Sequence, residues 1–549
     1  MTYEIPKAHE ALTTHEVLNQ TPPFGEVNLF AADAPLRAAL AAFGGPADVE
    51  GLDGFGARWG SAERIERGRL ANAHPPLLRT HDARGYRADR VEFHPAYHAL
   101  MAESVADGLH ASIWDGVDPG KPRARGHLAR AARQVMVAGV ESGHLCPMTM
   151  TSAAVAALAA APDHLAAWLP RIASRTYDPS FRPWFEKAGV TLGMGMTEKQ
   201  GGTDVRANAT RAEPAGGDTY ALTGHKWFFS APMSDGFLVL AQGPGGLTCF
   251  LVPRHRPDGS VNALHLQRLK DKLGNRSNAS AEVEFAQAFG WRIGEEGRGV
   301  PTILAMVQLT RLDCAVASAG LARMALVLAL HHARHRRVFE TPLVDQPAMR
   351  RVLADLALES EAQTALVCRL AAAFDRGEAS RTRLLTPAVK YAVCKAVPGF
   401  VYEAMEALGG NGYVEESPLP RLYREAPVNA IWEGSGTVMA LDVLRAATRA
   451  PEEVVGLVAD LAEEAEGLPG VREAAADIIA ALQAPDAEVR ARFATGRLAT
   501  LAAAAALAAC APPAIAEAYA ATRLARERAV YGANGVGAVT AMLLERALR

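Results

Sequence analysis

The sequence predicts an α+β protein of several domains, with helical regions on both sides of a small β domain. Three observations carry this reading. At 549 residues the chain is too long for a single hydrophobic core. Its apolar pattern changes period twice, from helical to strand-like near residue 186 and back near residue 296. At the first change lies "MGMTEKQGGTDVRAN", residues 194–208, a loop with neither period. Its Gly, Thr and Met suit close approach of backbone to a ligand.

Residues 1–185 read as an N-terminal helical domain, with amphipathic spacing in "GHLARAARQVMVAGVESG" and Gly- and Pro-rich loops ahead of it. Residues 186–295 read as a small antiparallel β-barrel. "DTYALTGHKWFFSAP", "DGFLVLAQG", "GLTCFLVPR" and "ASAEVEF" are β-branched or aromatic runs divided by turn residues. Residues 296–449 read as a helical bundle, beginning with one helix of great length in "PTILAMVQLTRLDCAVASAGLARMALVLALHHARHRRVF". Residues 450–549 form an extra, Ala-rich C-terminal helical domain. There "LATLAAAAALAACAPPAIA" is nearly long enough to span a bilayer, but Ala is weakly apolar and Pro512-Pro513 ends a helix. Two packed helices with a break are expected, and no membrane partner.

Composition narrows the function. A net charge of −3 does not steer polyanions or acidic membranes. Six scattered Cys fit reduced thiols, and "MTYEIPKAHEALTTHEVL" has no secretory pattern, so a cytoplasmic protein is expected. No strand leads into GxGxxG, and neither GxxxxGK[ST] nor HExxH is present. Dinucleotide-binding Rossmann, P-loop and zincin readings are therefore set aside.

In "HHARHRRVF", His331 and His335 stand one helical turn apart, a spacing that can hold zinc, but no third ligand is nearby and no metal is expected. A solvated basic face is the plainer reading. "ALGGNGY" is compatible with a helix C-cap and turn. In "IWEGSGTV", Glu433 can serve as an acid facing the dipole of a helix beginning near Ser435.

Together, "MTEKQGGTD", "GHKWFFS", "GEEGRG", "RHRRVFETPLVDQPAMRRVLADL", "ALGGNGY" and "IWEGSG" resemble, in order and spacing, the signature series of the acyl-CoA dehydrogenase superfamily. The wording of "LANAHPPLL", "ESGHLCPMTMT", "RLKDKLGNRSNAS" and "IWEGSG" is similar to the AidB-type alkylation-response flavoproteins over nearly the whole chain. The resemblance implies an acyl-CoA dehydrogenase-like fold, with a four-helix bundle as its third domain, and FAD as cofactor. On that implication Thr197 meets the flavin edge, Met194 and Met196 line the ring, and Gly202 and Thr203 reach the phosphates. Trp227 stacks on the flavin with Phe228, Phe229 and Ser230 following; Phe229 stands where the family often has Thr or Ser. Arg336 and Phe339 match an Arg-x-x-Phe that reaches a neighbouring subunit's FAD, although Glu340 replaces the usual Gly. Gly410 approaches the adenine end, and Gly434, Ser435 and Thr437 lie near the ribityl and pyrophosphate region. A homo-oligomer, a tetramer as in the family, is implied.

Glu433 matches the family's catalytic base. The expected reaction is α,β-dehydrogenation of an acyl-CoA thioester, with weak turnover. Two alternatives stay open: a DNA-associated alkylation-stress protein with a largely vestigial site, and oxygen-using flavin chemistry. For duplex DNA, Arg490, Arg497, Arg523 and Arg526 are the candidate contacts. Against that, residues 451–549 hold nine Arg, no Lys and thirteen acids, a net charge of −4.

Overall fold

The computed structural model describes residues 17–120, 124–526 and 537–547. Its first part comprises α1 (Ala34–Phe43), α2 (Pro46–Val49), α3 (Leu52–Trp59), α4 (Ala62–Ala73), α5 (Pro95–Ala106), α6 (His127–Val140), α7 (Leu145–Leu158) and α8 (Pro162–Ile172). Local chemistry starts these helices: Asp33 and Ser61 accept from the amides of Leu36 and Arg64 at the starts of α1 and α4. A hairpin of β1 (Leu77–His81) and β2 (Arg87–Glu92), unannounced by the helical pattern, interrupts them. It docks on the β domain, where Asp89 accepts from Leu266 N at 3.0 Å and Arg87 donates to Leu266 O at 2.9 Å.

The β domain comprises β3 (Leu192–Gly195), β4 (Arg211–Gly216), β5 (Thr219–Ser230), β6 (Gly236–Gly243), β7 (Gly246–Pro253), β8 (Leu264–Leu269) and β9 (Ser280–Ile293). The ring β6-β4-β5-β9-β7 closes through β6–β7 pairing, with β3 added beside β6 and β8 beside β9. Its pairings are antiparallel as expected, except that β3 and β4 run parallel to β6. Phe229, Phe237, Phe250 and Phe285 fill the barrel. A bulge falls on β5, where Lys226 opposes Val283 but Phe229 already opposes Ala281. The extra residue breaks strand alternation, so Lys226 and Phe229 are both buried while Trp227 and Phe228 lie on the outside.

The bundle follows. Its first helix, α9 (Gly299–His335), has 37 residues, roughly 55 Å of helical rise. The hairpin of β10 (Arg337–Val338) and β11 (Thr341–Pro342) ends it. Next come α10 (Pro347–Arg376), α11 (Ala379–Glu406), α12 (Gly410–Tyr413), α13 (Leu419–Asn429) and α14 (Gly436–Arg449). Helices α9, α10, α11 and α14 form the bundle, with α13 braced on α9 and α11. The last part holds α15 (Pro451–Glu464), α16 (Val471–Gln483), α17 (Ala487–Cys510), α18 (Pro513–Tyr519) and α19 (Thr540–Ala547). The Ala-rich run breaks at Pro512-Pro513, as its composition suggests. By length and composition α9, α11 and α17 could each cross a membrane, yet their apolar windows are 94%, 67% and 61% buried inside the protein.

Candidate active site

One apolar cluster joins the elements that the motifs occupy. Cys146 and Met150 of α7, Leu192 of β3, and Ile303 and Met306 of α9 form it, and Met194, Met196 and Trp432 pack against it. The Gly-rich loop and the "IWEG" turn therefore meet one wall, although they are far apart in sequence. Strand β5 is tied to the same loop, since Trp227 N donates to Thr197 O at 2.8 Å.

A buried ion pair makes this attachment rigid. Lys226 Nζ lies 2.6 Å from Glu198 Oε1 with both side chains fully enclosed, and Nζ also donates to Leu240 O at 2.8 Å. Glu198 further accepts from the Thr210 hydroxyl and the Ala209 amide, each at 2.6 Å. Burial opposes its charge, but Lys226 and these donors outweigh burial and lower its pKa to about 2. Sequence reading missed both residues; their only signal was membership of "MTEKQGGTD" and "GHKWFFS".

The outer face of Trp227 is strongly cationic, with Lys270 Nζ 3.3 Å from the ring centroid and Lys199 and Arg268 at 5.3 and 5.8 Å. Phe228 is 52% exposed beside it. Phe229 needs correction as a cofactor contact. Its side chain packs on Phe237 and Phe285 inside the barrel because of the bulge, away from Trp227. Ser230 Oγ lies 3.1 Å from Ser280 Oγ, which accepts from Lys272 Nζ at 3.0 Å. Gly202 and Thr203 are open on the loop, and a Cβ on Gly202 would stand 2.8 Å from Thr197 Oγ1.

Glu433 sits where the bundle faces this wall. Its Oε2 accepts from Thr310 Oγ1 at 2.7 Å, and its carbonyl accepts from Arg311 Nε at 3.0 Å. Arg311 is itself paired with Asp442 at 2.8 Å. Lys390 Nζ donates to Gly434 O at 2.7 Å. Both turn residues are left-handed, with φ of 58° at Glu433 and 107° at Gly434. Burial raises the pKa of the carboxyl, against the Thr310 hydrogen bond and the charges of Lys390 and Arg311. Across the space, burial pushes the Cys146 thiol up to about 12, with Lys272, Glu433, Asn278 and Ser230 around it. Ser230 and Glu433 thus both lie near the Cys146 thiol. Ser435 caps α14 by position without a side-chain bond, and Thr437 is exposed two residues on. The α14 amides are consequently available to an anion.

Arg336, Phe339 and Gly410 are not at this pocket. Along α9, Arg336 lies roughly 39 Å by helical rise beyond Thr310. Phe339 and Glu340 are the two-residue tip of the β10–β11 hairpin, both with positive φ, and Phe339 is 94% exposed. Asn19 contacts both Arg336 and Arg337, and Gln20 meets Asn411, so Arg336 and Gly410 share this second end. His331 there bonds Pro22 O, and His335 bonds His331 O.

The four Arg of the C-terminal part do not make one basic patch. Arg523 is buried against Asp355 at 2.5 Å and Glu359 at 3.3 Å, because it joins this part to α10. Arg497 donates to Leu524 O and pairs with Asp477, and Arg490 pairs with Asp486 one turn away. Arg526 is exposed. Arg528 and Glu527 lie outside the described residues.

A further hub explains three stretches whose wording stood out. Glu141 is fully buried and accepts from Asn72 Nδ2, Gly143 N, His144 N and Ser277 Oγ at 2.8–2.9 Å, and meets His144 Nδ1 at 2.7 Å. These donors outweigh burial and lower its pKa to about 2. "LANAHPPLL", "ESGHL" and "GNRSNAS" converge there, fixing the Ser277–Asn278 segment next to Cys146.

With this architecture in place, three family models match successive parts of the chain. They are the adaptive response protein AidB N-terminal domain over residues 19–179, the acyl-CoA dehydrogenase middle domain over 193–288, and the acyl-CoA dehydrogenase C-terminal domain over 297–448. The chain belongs to the acyl-CoA dehydrogenase family, in its AidB-type branch. It is 52% identical over 437 residues to the AidB protein of Escherichia coli (strain K12), covering 79% of this chain and 80% of that one. Among solved structures, "Bd2924 apo-form" superposes with a TM-score of 0.80 at 27% identity, covering 90% and 99% of the two chains. Caenorhabditis elegans ACDH-11 in complex with C11-CoA gives 0.77 at 27% identity, covering 100% and 94%.

Proposed function

We propose that the protein is an FAD-dependent oxidoreductase that dehydrogenates an acyl-CoA thioester between its α and β carbons, with Glu433 as general base. One observation carries the reading: Glu433, held by Thr310 and with its pKa raised by burial, stands at the apolar wall against which Met194, Met196 and Trp432 pack. The C11-CoA bound to the ACDH-11 relative supports the substrate class.

The residues present fit FAD. Met194, Met196, Thr197 and Ser230 would border the ring, Trp227 would cover it, and Gly202, Thr203 and the α14 start at Ser435 and Thr437 would face its phosphates. The open loop backbone, the cationic face of Trp227 and the uncapped helix N-terminus suit an aromatic, anionic group. FAD supplies the two-electron acceptor. Arg336, Phe339 and Gly410 lie at the far end of α9 from Thr310, too far for the same site, so they would serve the cofactor of a second copy, in a tetramer or smaller assembly.

The chain's own work is on the proton. An α C–H beside a thioester carbonyl is weakly acidic, so a carboxylate must stand against it in a site closed to water. Thr310 engages Oε2 and leaves Oε1 to take that proton. Because burial raises the carboxyl pKa, activity rises with pH through a limb above the ordinary glutamate range. Purified holo-protein titrated anaerobically with acyl-CoA tests the reading, beside Glu433→Gln. Bleaching of the flavin in the wild type and its loss in the variant are expected.

A further inference from the structure

Lys390 lies inside α11 and is only 1% exposed. Enclosing an ammonium is costly unless its charge and donors are used. Its Nζ donates to Gly434 O at 2.7 Å, and among the described residues no carboxylate comes within 4.0 Å. Arg311, the other nearby cation, is already committed to Asp442 and to the Glu433 carbonyl. Lys390 is therefore, among the described residues, the cation near Glu433 that has no carboxylate partner of its own, whereas Arg311 shares Asp442 with Arg445.

The surroundings leave few competitors. Thr310, Arg311 and Cys314 face Glu433 from α9, Cys146 from α7, and Lys390 from α11. Lys390 itself meets Cys314 and Cys394, and burial raises both thiols, Cys314 well above its ordinary pKa, hence neutral. Asp313 is taken up by Arg130 at 2.6 Å. The Glu433–Gly434 turn is left-handed, a conformation that is strained for Glu. Arg311 and Lys390 secure its two successive carbonyls.

We propose that Lys390 is a positioning residue of this site, which fixes the Gly434 carbonyl behind Glu433 and provides the counter-charge that keeps the carboxylate ionised. The proposal rests on the reading of Glu433 as the base. It separates two contributions, a hydrogen bond that aims the carboxylate and a charge that sets its proton affinity. Lys390→Gln retains an amide donor and loses the charge, whereas Lys390→Met loses both.

The test follows the Glu433 carboxyl in substrate-free holo-protein by isotope-edited infrared spectroscopy, with Glu433→Gln locating the band. Removing a neighbouring cation raises a carboxyl pKa, so the midpoint moves up by about one pH unit in both Lys390 variants. Lys390→Met also lowers kcat more than it changes KM, and Lys390→Gln retains more of kcat at high pH. A midpoint unmoved in folded Lys390→Gln and Lys390→Met overturns the proposal. Should neither variant fold, the Lys390 Nζ resonance of 15N-labelled wild type decides. It must step at the Glu433 midpoint and lose that step in Glu433→Gln; an insensitive resonance overturns the proposal. Wild type that acyl-CoA cannot bleach would defeat the base reading alone, because neither spectroscopic midpoint depends on turnover.

Discussion

The two ends of the long helix α9 are built differently. Near its start, Thr310, Arg311 and Asp313 all find partners within the chain: Glu433, Asp442 and Arg130. At its finish, Arg336 donates to a backbone carbonyl of Asn19, and Phe339 stands out on a hairpin tip. A closed polar network fixes geometry for chemistry, whereas an aromatic on a left-handed turn, exposed among the described residues, suits contact with another surface. One helix thus connects the bonded Glu433 turn with an exposed hairpin that, on the proposed reading, meets another copy.

The sharpest way to break this contrast is at the closed end. Glu433→Gln should reduce the rate of acyl-CoA-dependent flavin bleaching about a thousandfold while leaving FAD content unchanged. Comparable loss from Phe339→Ser would mean that the two ends are not distinct. Next in size is the ion pair behind the loop. Lys226→Met leaves Glu198 buried and uncompensated, and should cost about 3–5 kcal/mol in urea unfolding.

The same pair gives the contrast a pH signature. The Glu198 and Glu141 pKa values are depressed in the folded protein to about 2, so their stabilisation is full above the ordinary carboxylate pKa of 4.5. It is lost as pH falls from about 4.5 toward 2, and thermal melts across that window should record a steepening drop. Arg523→Ala should destabilise by about 3 kcal/mol, because Asp355 and Glu359 lose a buried cation from among their contacts. The smallest effect belongs to the open end. Phe339→Ser should weaken self-association or FAD retention by about tenfold, read by sedimentation and flavin content, with no change in urea midpoint.

The layout of helices and strands was legible because each texture is long and its period is plain. The length of α9 and the break at Pro512-Pro513 follow directly from pattern and proline chemistry. Glu433 and Trp227 were legible as motif positions, because a local turn and a short strand present them. Phe229 was not, since a single-residue bulge reverses which side chains face inward, and no run of five residues encodes it. Arg523 was misassigned to a nucleic-acid surface for a related reason. Composition records a charge, while its burial depends on Asp355 and Glu359, far away in the chain. The Glu141 hub likewise draws on stretches around residues 72, 141 and 277, so the sequence displays its parts and only the fold assembles them.

The most direct test is an anaerobic titration of purified protein with acyl-CoA, watched in the visible flavin band beside Glu433→Gln. The account predicts a yellow protein bleached by substrate in the wild type and left coloured in the variant. A preparation that binds no added FAD, or a variant bleached as readily as the wild type, would contradict it.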